Sequence, residues 1–152
     1  MTERRTPAYG DSLLVEEARN LYFAANGFSF QDYDAPTFTI GIFGLSLKLP
    51  NIEARKRIVP FHDLHHILTG FGTDWIGEAE IGAWELRAGC KSLLAYFLDG
   101  SGVIIGLAIS PRRVWRAFRA AKGQRTLYGD PTPYRRLLQM TVGDLRKRIR
   151  IT

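Results

Sequence analysis

Ile58-Val59-Pro60-Phe61-His62-Asp63-Leu64-His65-His66-Ile67-Leu68-Thr69-Gly70 and, after a short glycine-bearing link, Gly77-Glu78-Ala79-Glu80-Ile81-Gly82-Ala83-Trp84-Glu85 decide the fold class. In the first run the apolar residues recur at helical steps over Val59–Leu68, with Pro60 near the first turn and Gly70 and Gly72 beyond the end, which predicts a helix. In the second, Ile81, Trp84, Leu86 and Ala88 predict another that starts near Gly77, runs toward Cys90 and bends or breaks near Gly89. Upstream, Asn51–Arg57 reads as a separate short helix, and Asp11 as the N-cap of a helix carrying Leu14, Ala18, Leu21, Tyr22 and Ala25 until Gly27 stops it. Between them Phe38/Ile40/Ile42 and Leu45/Leu47/Leu49 alternate with a one-residue slip at Phe43–Gly44, so 37–49 reads as a bulged hairpin or as an apolar loop packed on helices.

Downstream, Ser92–Ile109 is apolar but broken by Asp99-Gly100-Ser101-Gly102. A membrane span needs about 20 mainly apolar residues, so two buried helices joined at Gly100–Gly102 are expected instead. Arg112–Arg125 reads as a basic helix, 123–133 as a loop, and Thr141-Val142-Gly143-Asp144 as the opening of a last helix ending near Ile149. The expected architecture is mainly α: a compact multi-helix single domain over 11–152 behind a disordered N-terminus, 1–10.

At 152 residues, 45% hydrophobic and 24% charged, the chain suits one globular domain, and collagen-like, disordered and two-domain readings are excluded. Its single cysteine, Cys90, forms no internal disulfide and rules out a thiolate zinc site, which points to the cytoplasm. No apolar run follows Arg4 and Arg5 before Ser12, so neither a secretory signal nor an anchor is expected. The net charge of +6 is lopsided: residues 1–99 hold 9 Lys/Arg against 13 Asp/Glu, and residues 100–152 hold 12 against 2. The basic third suits a phosphate-bearing partner, and the acidic remainder suits a cation.

All three histidines of the chain lie within five positions. On a helix, residues four apart differ by about 40° in direction, so His62 and His66 face one way and can grip one ion. Asp63 lies at the edge of that face, as an oxygen ligand or as an acceptor fixing a histidine tautomer. Glu78 opens the next helix, and an antiparallel return lays it over the same face. Two imidazoles with one or two carboxylates suit zinc, iron or manganese. A zinc peptidase carries glutamate where Asp63 stands, one methylene too short to reach the same water. A phosphohydrolase needs a further histidine upstream of His62, and there is none. Glu85 shares the face of Glu78 two turns on, as a helper behind the ligands or as a carboxylate satisfied within its helix.

His62-Asp63-x-x-His66, eleven intervening residues and Glu78 resemble the H-D-x-x-H-x(11)-E motif of the Coq protein family, fourth member, of ubiquinone biosynthesis, over residues 58–90. The chain looks like a short, bacterial-type relative. The resemblance implies a helical fold and a divalent metal, most often zinc, held by His62, Asp63, His66 and Glu78. It also implies a homodimer at the membrane periphery, on its inner face, working beside other quinone-biosynthesis enzymes. Its activity would be that of a lyase or oxidative decarboxylase, replacing the ring carboxylate of a polyprenylated hydroxybenzoate with a hydroxyl, with Glu78 and Asp63 as the catalytic carboxylates. The alternative is a non-catalytic lipid-binding or scaffold protein of the same complex, with a structural metal.

Arg112, Arg113, Arg116, Arg119 and Lys122 interleave with Trp115 and Phe118. This pattern suits an anionic membrane surface, with the aromatics at headgroup depth beside an apolar channel for a prenylated lipid. Nucleic acid is the weaker partner for the same residues, and a solvated helix face with core aromatics is the plain alternative.

Overall fold

Both halves of the quoted stretch are helical in the computed structural model, which describes residues 9–42, 45–90 and 103–151. In chain order the elements are α1 (Val15–Asn26), α2 (Gln31–Asp34), β1 (Thr37–Ile42), β2 (Leu45–Pro50), α3 (Glu53–Thr69) and α4 (Trp75–Gly89). A helical stretch over 103–109 (α5) follows, then α6 (Pro111–Ala120), a 3-10 turn at Leu127–Gly129, α7 (Tyr134–Leu138) and α8 (Val142–Ile149). The domain is mainly α.

The two helices expected at Asn51–Arg57 and Val59–Leu68 are one, α3, with Pro60 in its interior. A proline there leaves the carbonyl four residues back without its partner and crowds it. The helix runs through because its second half is anchored: Leu64, Ile67 and Leu68 are buried against Tyr22 of α1 and Leu145 of α8. Gly70, at φ 77°, then terminates it in the left-handed region that glycine adopts without strain. α1 is capped at Leu14, whose N–H meets the Glu17 carboxylate at 3.4 Å. Asp11, expected in that role, instead accepts the Gly143 N–H on its backbone oxygen and pairs through its side chain with Arg146 at 2.6 Å. α4 starts two residues before Gly77, because the Asp74 side chain caps it, and ends at Gly89 as expected.

The 37–49 segment is a hairpin without a bulge in the described ladder. Its register opposes Phe38 to Leu49, Ile40 to Leu47 and Ile42 to Leu45. The slip read at Phe43–Gly44 lies outside the described residues. The apolar run 92–98 and the Gly100–Gly102 break lie outside the described residues, as does most of the expected disordered N-terminus. Tyr9, inside that expected run, is buried in the core.

Tyr22, Leu64, Ile67, Trp84, Leu127, Leu137, Leu145 and Ile149 are almost fully buried and make one core from α1, α3, α4, α7, α8 and the 3-10 turn. A smaller cluster of Ala79, Ala83 and Val114 joins α4 to α6. Small side chains let these backbones approach closely, and a Cβ placed at Gly106 of α5 would stand only 2.1 Å from that of Ala79.

Part of the basic third is tied into the fold by specific bonds. Arg146 donates to the Leu68 carbonyl at the end of α3 and to that of Tyr9, both at 3.0 Å, where a cation also suits the helix dipole. Arg148 holds Asp130 through Nη2 at 2.9 Å and through Nε, and the Thr132 N–H adds a third donor at 2.8 Å. These bonds, the Arg148 pair foremost, lower the Asp130 carboxyl from its ordinary value to about 2. A depressed carboxylate stabilises the fold at pH values above its unfolded pKa, and that contribution disappears as pH falls from near 4 toward 2. Thermal melts of Asp130→Asn are therefore expected to lie a few degrees below wild type at pH 7 and to converge on it toward pH 2.

Candidate metal centre

α3 sets its three histidines at different depths: His62 keeps a fifth of its side chain exposed, while His65 and His66 are enclosed. Asp74 shapes the approach of α4 by accepting the Gly77 N–H at 2.7 Å. Gly77 packs so closely on Gly72 that a Cβ there would lie 2.1 Å from the Gly72 carbonyl oxygen. That tight return brings Glu78, in the first turn of α4, over His62 and His66.

The Nε2 atoms of His62 and His66 are 3.1 Å apart. Glu78 completes a triangle, with one oxygen 3.3 Å from His62 Nε2 and the other 3.4 Å from His66 Nε2. Two donors each about 2.0–2.1 Å from one ion, at angles from octahedral to tetrahedral, stand about 2.9–3.4 Å from each other. The observed spacings fall in that range, so His62, His66 and Glu78 can hold a metal ion.

The far side of each imidazole supports the same reading. His66 Nδ1 lies 3.1 Å from the Phe71 carbonyl oxygen, and His62 Nδ1 lies 3.1 and 3.2 Å from the two Glu85 oxygens. With Nδ1–H donating outward in both rings, both Nε2 lone pairs face the centre, the arrangement that orients histidine ligands in metal sites. Burial disfavours charge on His62, yet Glu85 behind it and Glu78 in front hold its pKa well above the ordinary value. Between two carboxylates a positive charge is favoured, whether carried by the imidazolium or by an ion on the neutral ring.

Glu85 is fully buried and collects three donors: His62, His65 Nδ1 at 2.5 Å and the Tyr128 hydroxyl at 2.9 Å. Burial opposes its ionisation, but the charge and hydrogen bonds of His62, then those of His65, keep its carboxyl well below the usual range. His65 accepts the Leu127 N–H on Nε2 at 2.8 Å, so it is a neutral strut between α4 and the 3-10 turn and stands outside the convergent triad. Glu85 is thus not satisfied within its own helix but sits behind the His62 ring. Nothing in the sequence pattern marked Tyr128, which reaches Glu85 across 43 positions.

Asp63, expected as a ligand, has its oxygens in other hands. Oδ2 accepts the Tyr33 hydroxyl at 2.6 Å, and Oδ1 lies 3.5 Å from that of Tyr22. Burial pushes its carboxyl up, partly offset by Tyr33 and the two histidines. His62, Asp63 and Glu78 line a cavity of about 890 Å³, whose walls also include Phe23, Phe28, Phe38 and Trp75. The volume is that of a small-molecule site.

No family model, curated protein or solved structure matches this chain. The site therefore rests on its own geometry.

The residues expected at a lipid surface divide. Arg112, Trp115 and Arg116 are exposed along α6, as are Arg119 and, beyond the helix end, Lys122. Arg113 is committed to Glu80 through bonds of 2.9 and 2.6 Å, and Phe118 packs on the Ala79–Ala83–Val114 cluster with Trp115 stacked against it at 5.6 Å. Ile104, Leu107 and Ile109 of α5 are exposed, so the part of the expected pair of buried helices that is described, 103–109, is buried on one side only. Among the described residues no helix is long and apolar enough to cross a membrane.

Proposed function

We propose that this protein is a metal-dependent enzyme of quinone-type metabolism acting on a polyprenylated hydroxybenzoate. The observation that carries the reading is the triad of His62, His66 and Glu78, oriented from behind by Glu85 and the Phe71 carbonyl and opening into an aromatic-walled cavity. Two nitrogen donors and one carboxylate suit zinc, with iron or manganese as the alternatives. A bound divalent ion supplies Lewis acidity to an oxygen of the aromatic ligand.

The chain's own residues do the rest. Phe23, Phe28, Phe38 and Trp75 take the ring and the start of the tail and exclude water. Asp63, with Tyr33 donating to its Oδ2, is the side chain assigned to proton delivery. In the first step the bond between ring and carboxylate breaks, carbon dioxide leaves, and the electron pair left on the ring carbon takes a proton. Placing a hydroxyl there instead consumes one dioxygen, two electrons from an external reductant and three protons, and releases one water. The exposed Ile104, Leu107, Ile109 and Trp115 and the exposed Arg112, Arg116 and Arg119 support docking on an anionic bilayer, from which a prenylated substrate must emerge.

The test is carbon dioxide release from a carboxyl-labelled prenylated 4-hydroxybenzoate, anaerobically and with dioxygen plus reductant. Protein reloaded with zinc, iron or manganese is expected to release the label, and chelated protein is not. Absence of release with every metal and prenyl length, alongside tight lipid binding, would move the assignment to a non-catalytic lipid-presenting protein.

A further inference from the structure

The same cavity holds a guanidinium in its wall. Arg55 lies seven residues before His62 on α3, about two turns, so both side chains lie on one face of the helix and line one space. Its position is built. The guanidinium carbon sits 3.7 Å from the centre of the Phe38 ring, and Nη1 donates to Asn51 Oδ1 at 3.1 Å. Asn51 is itself buried and fixed, its amide donating to the carbonyls of Ala35 at 2.9 Å and Tyr33 at 3.1 Å.

What Arg55 lacks among the described residues is a carboxylate within ion-pair distance; Asp63, in the wall of the same cavity, is near enough to favour its charge without pairing with it. Arg113, Arg146 and Arg148 each end on a carboxylate. Arg55 ends on an aromatic ring and one amide oxygen, and no carboxylate among the described residues forms an ion pair with it. A guanidinium has five N–H donors in a planar fork that matches a carboxylate, and it stays charged when half-buried. Cations so placed are costly to leave unpaired, and here the open partner position is the cavity.

We infer that Arg55 is the specificity residue that binds the carboxylate of the aromatic ligand, leaving the ring's oxygen substituent for the metal centre two turns along the helix. The inference rests on the proposed function for the ligand's class. It assigns to Arg55 a positioning role and separates the two ends of the ligand: a cation fixed on Phe38 at one, the histidine–glutamate triad at the other. Neutral esters and amides of the same ring are poor ligands for such a site, because they leave the fork unpaired.

The experiment compares 4-hydroxybenzoate, its methyl ester and phenyl phosphate as probes, titrated calorimetrically into the full chain with and without zinc. Wild type, Arg55→Met, Arg55→Lys and His66→Ala are measured. Wild type is expected to prefer the acid over the ester by about tenfold to a hundredfold, the range of a charge-assisted hydrogen-bonded pair. Arg55→Met, which keeps an apolar stem on Phe38, is expected to lose that preference while retaining zinc, and Arg55→Lys to recover part of it. If Arg55→Met keeps the preference and His66→Ala loses it, the ion binds the carboxylate and the inference is overturned while the metal centre stands. If zinc is absent from wild type yet the acid is still preferred through Arg55, the inference stands and the metal reading fails. Tighter binding of phenyl phosphate than of the acid overturns the assignment to a carboxylate. Unchanged melting of each variant shows that a lost preference is not lost folding.

Discussion

His66→Ala is expected to take bound zinc, in protein purified without an affinity tag, from about one ion per chain to less than a tenth of that after dialysis. Structural zinc sites are worth about 10–16 kcal/mol at neutral pH; shared over four coordination positions, one donor is worth about 3 kcal/mol, or roughly a hundredfold in affinity. His66 Nε2 lies within 3.1 Å of one partner donor and 3.4 Å of the other, so its loss opens the triad at its centre. Asp63→Asn is the informative companion. Because the Asp63 oxygens are taken by Tyr33 and Tyr22, this variant is expected to retain the ion and lose carbon dioxide release. Loss of the ion in Asp63→Asn would instead make Asp63 a fourth ligand. Elemental analysis of the three proteins, with circular dichroism to check folding, decides between these outcomes. An absence of metal in wild type would sink the centre altogether.

The triad was legible because its information is local. His62 and His66 share a helix, and the helical repeat alone puts them on one face. Glu78 needed only a short link and a return. Asp63, at the edge of that face, was given a ligand's role because spacing alone does not show that Tyr33, 30 positions earlier, reaches it first. Pro60 misled in the same way. Read locally it marks a helix start, but the burial of Leu64, Ile67 and Leu68 outweighs one missing backbone bond. The charge asymmetry was real, yet it overstated a basic face, since Arg113, Arg146 and Arg148 meet their carboxylates only through tertiary packing. Arg55 drew no notice for the opposite reason. Its meaning lies in having no carboxylate within ion-pair distance among the described residues, which no sequence pattern displays.

Glu85→Gln is expected to be the most destabilising single-site change around the centre. The substitution keeps size and shape but removes the charge to which His62, His65 and Tyr128 donate. It also turns an amide N–H₂ toward groups that are themselves donors. Breaking one side of a buried, hydrogen-bonded charge network costs about 3–5 kcal/mol, which for a domain of this size is a fall of about 6–20 °C in Tm. The same change frees the His62 ring from its Nδ1 anchor, and loss of such an outer partner weakens metal binding by about tenfold to a hundredfold. Melts in chelator isolate the first effect, and zinc titrations at a temperature where the variant is folded isolate the second. Tyr128→Phe removes one donor and leaves the carboxylate charged on two histidines, so it is expected to cost only about 1.5–3 kcal/mol, the range for a hydrogen bond to a charged group. Near-equal costs for the two variants would mean that the charge on Glu85 contributes nothing beyond a neutral hydrogen bond. A large gap between them, with the zinc affinity following Glu85→Gln alone, assigns to one buried carboxylate both the joining of α3 to α4 and the aiming of His62.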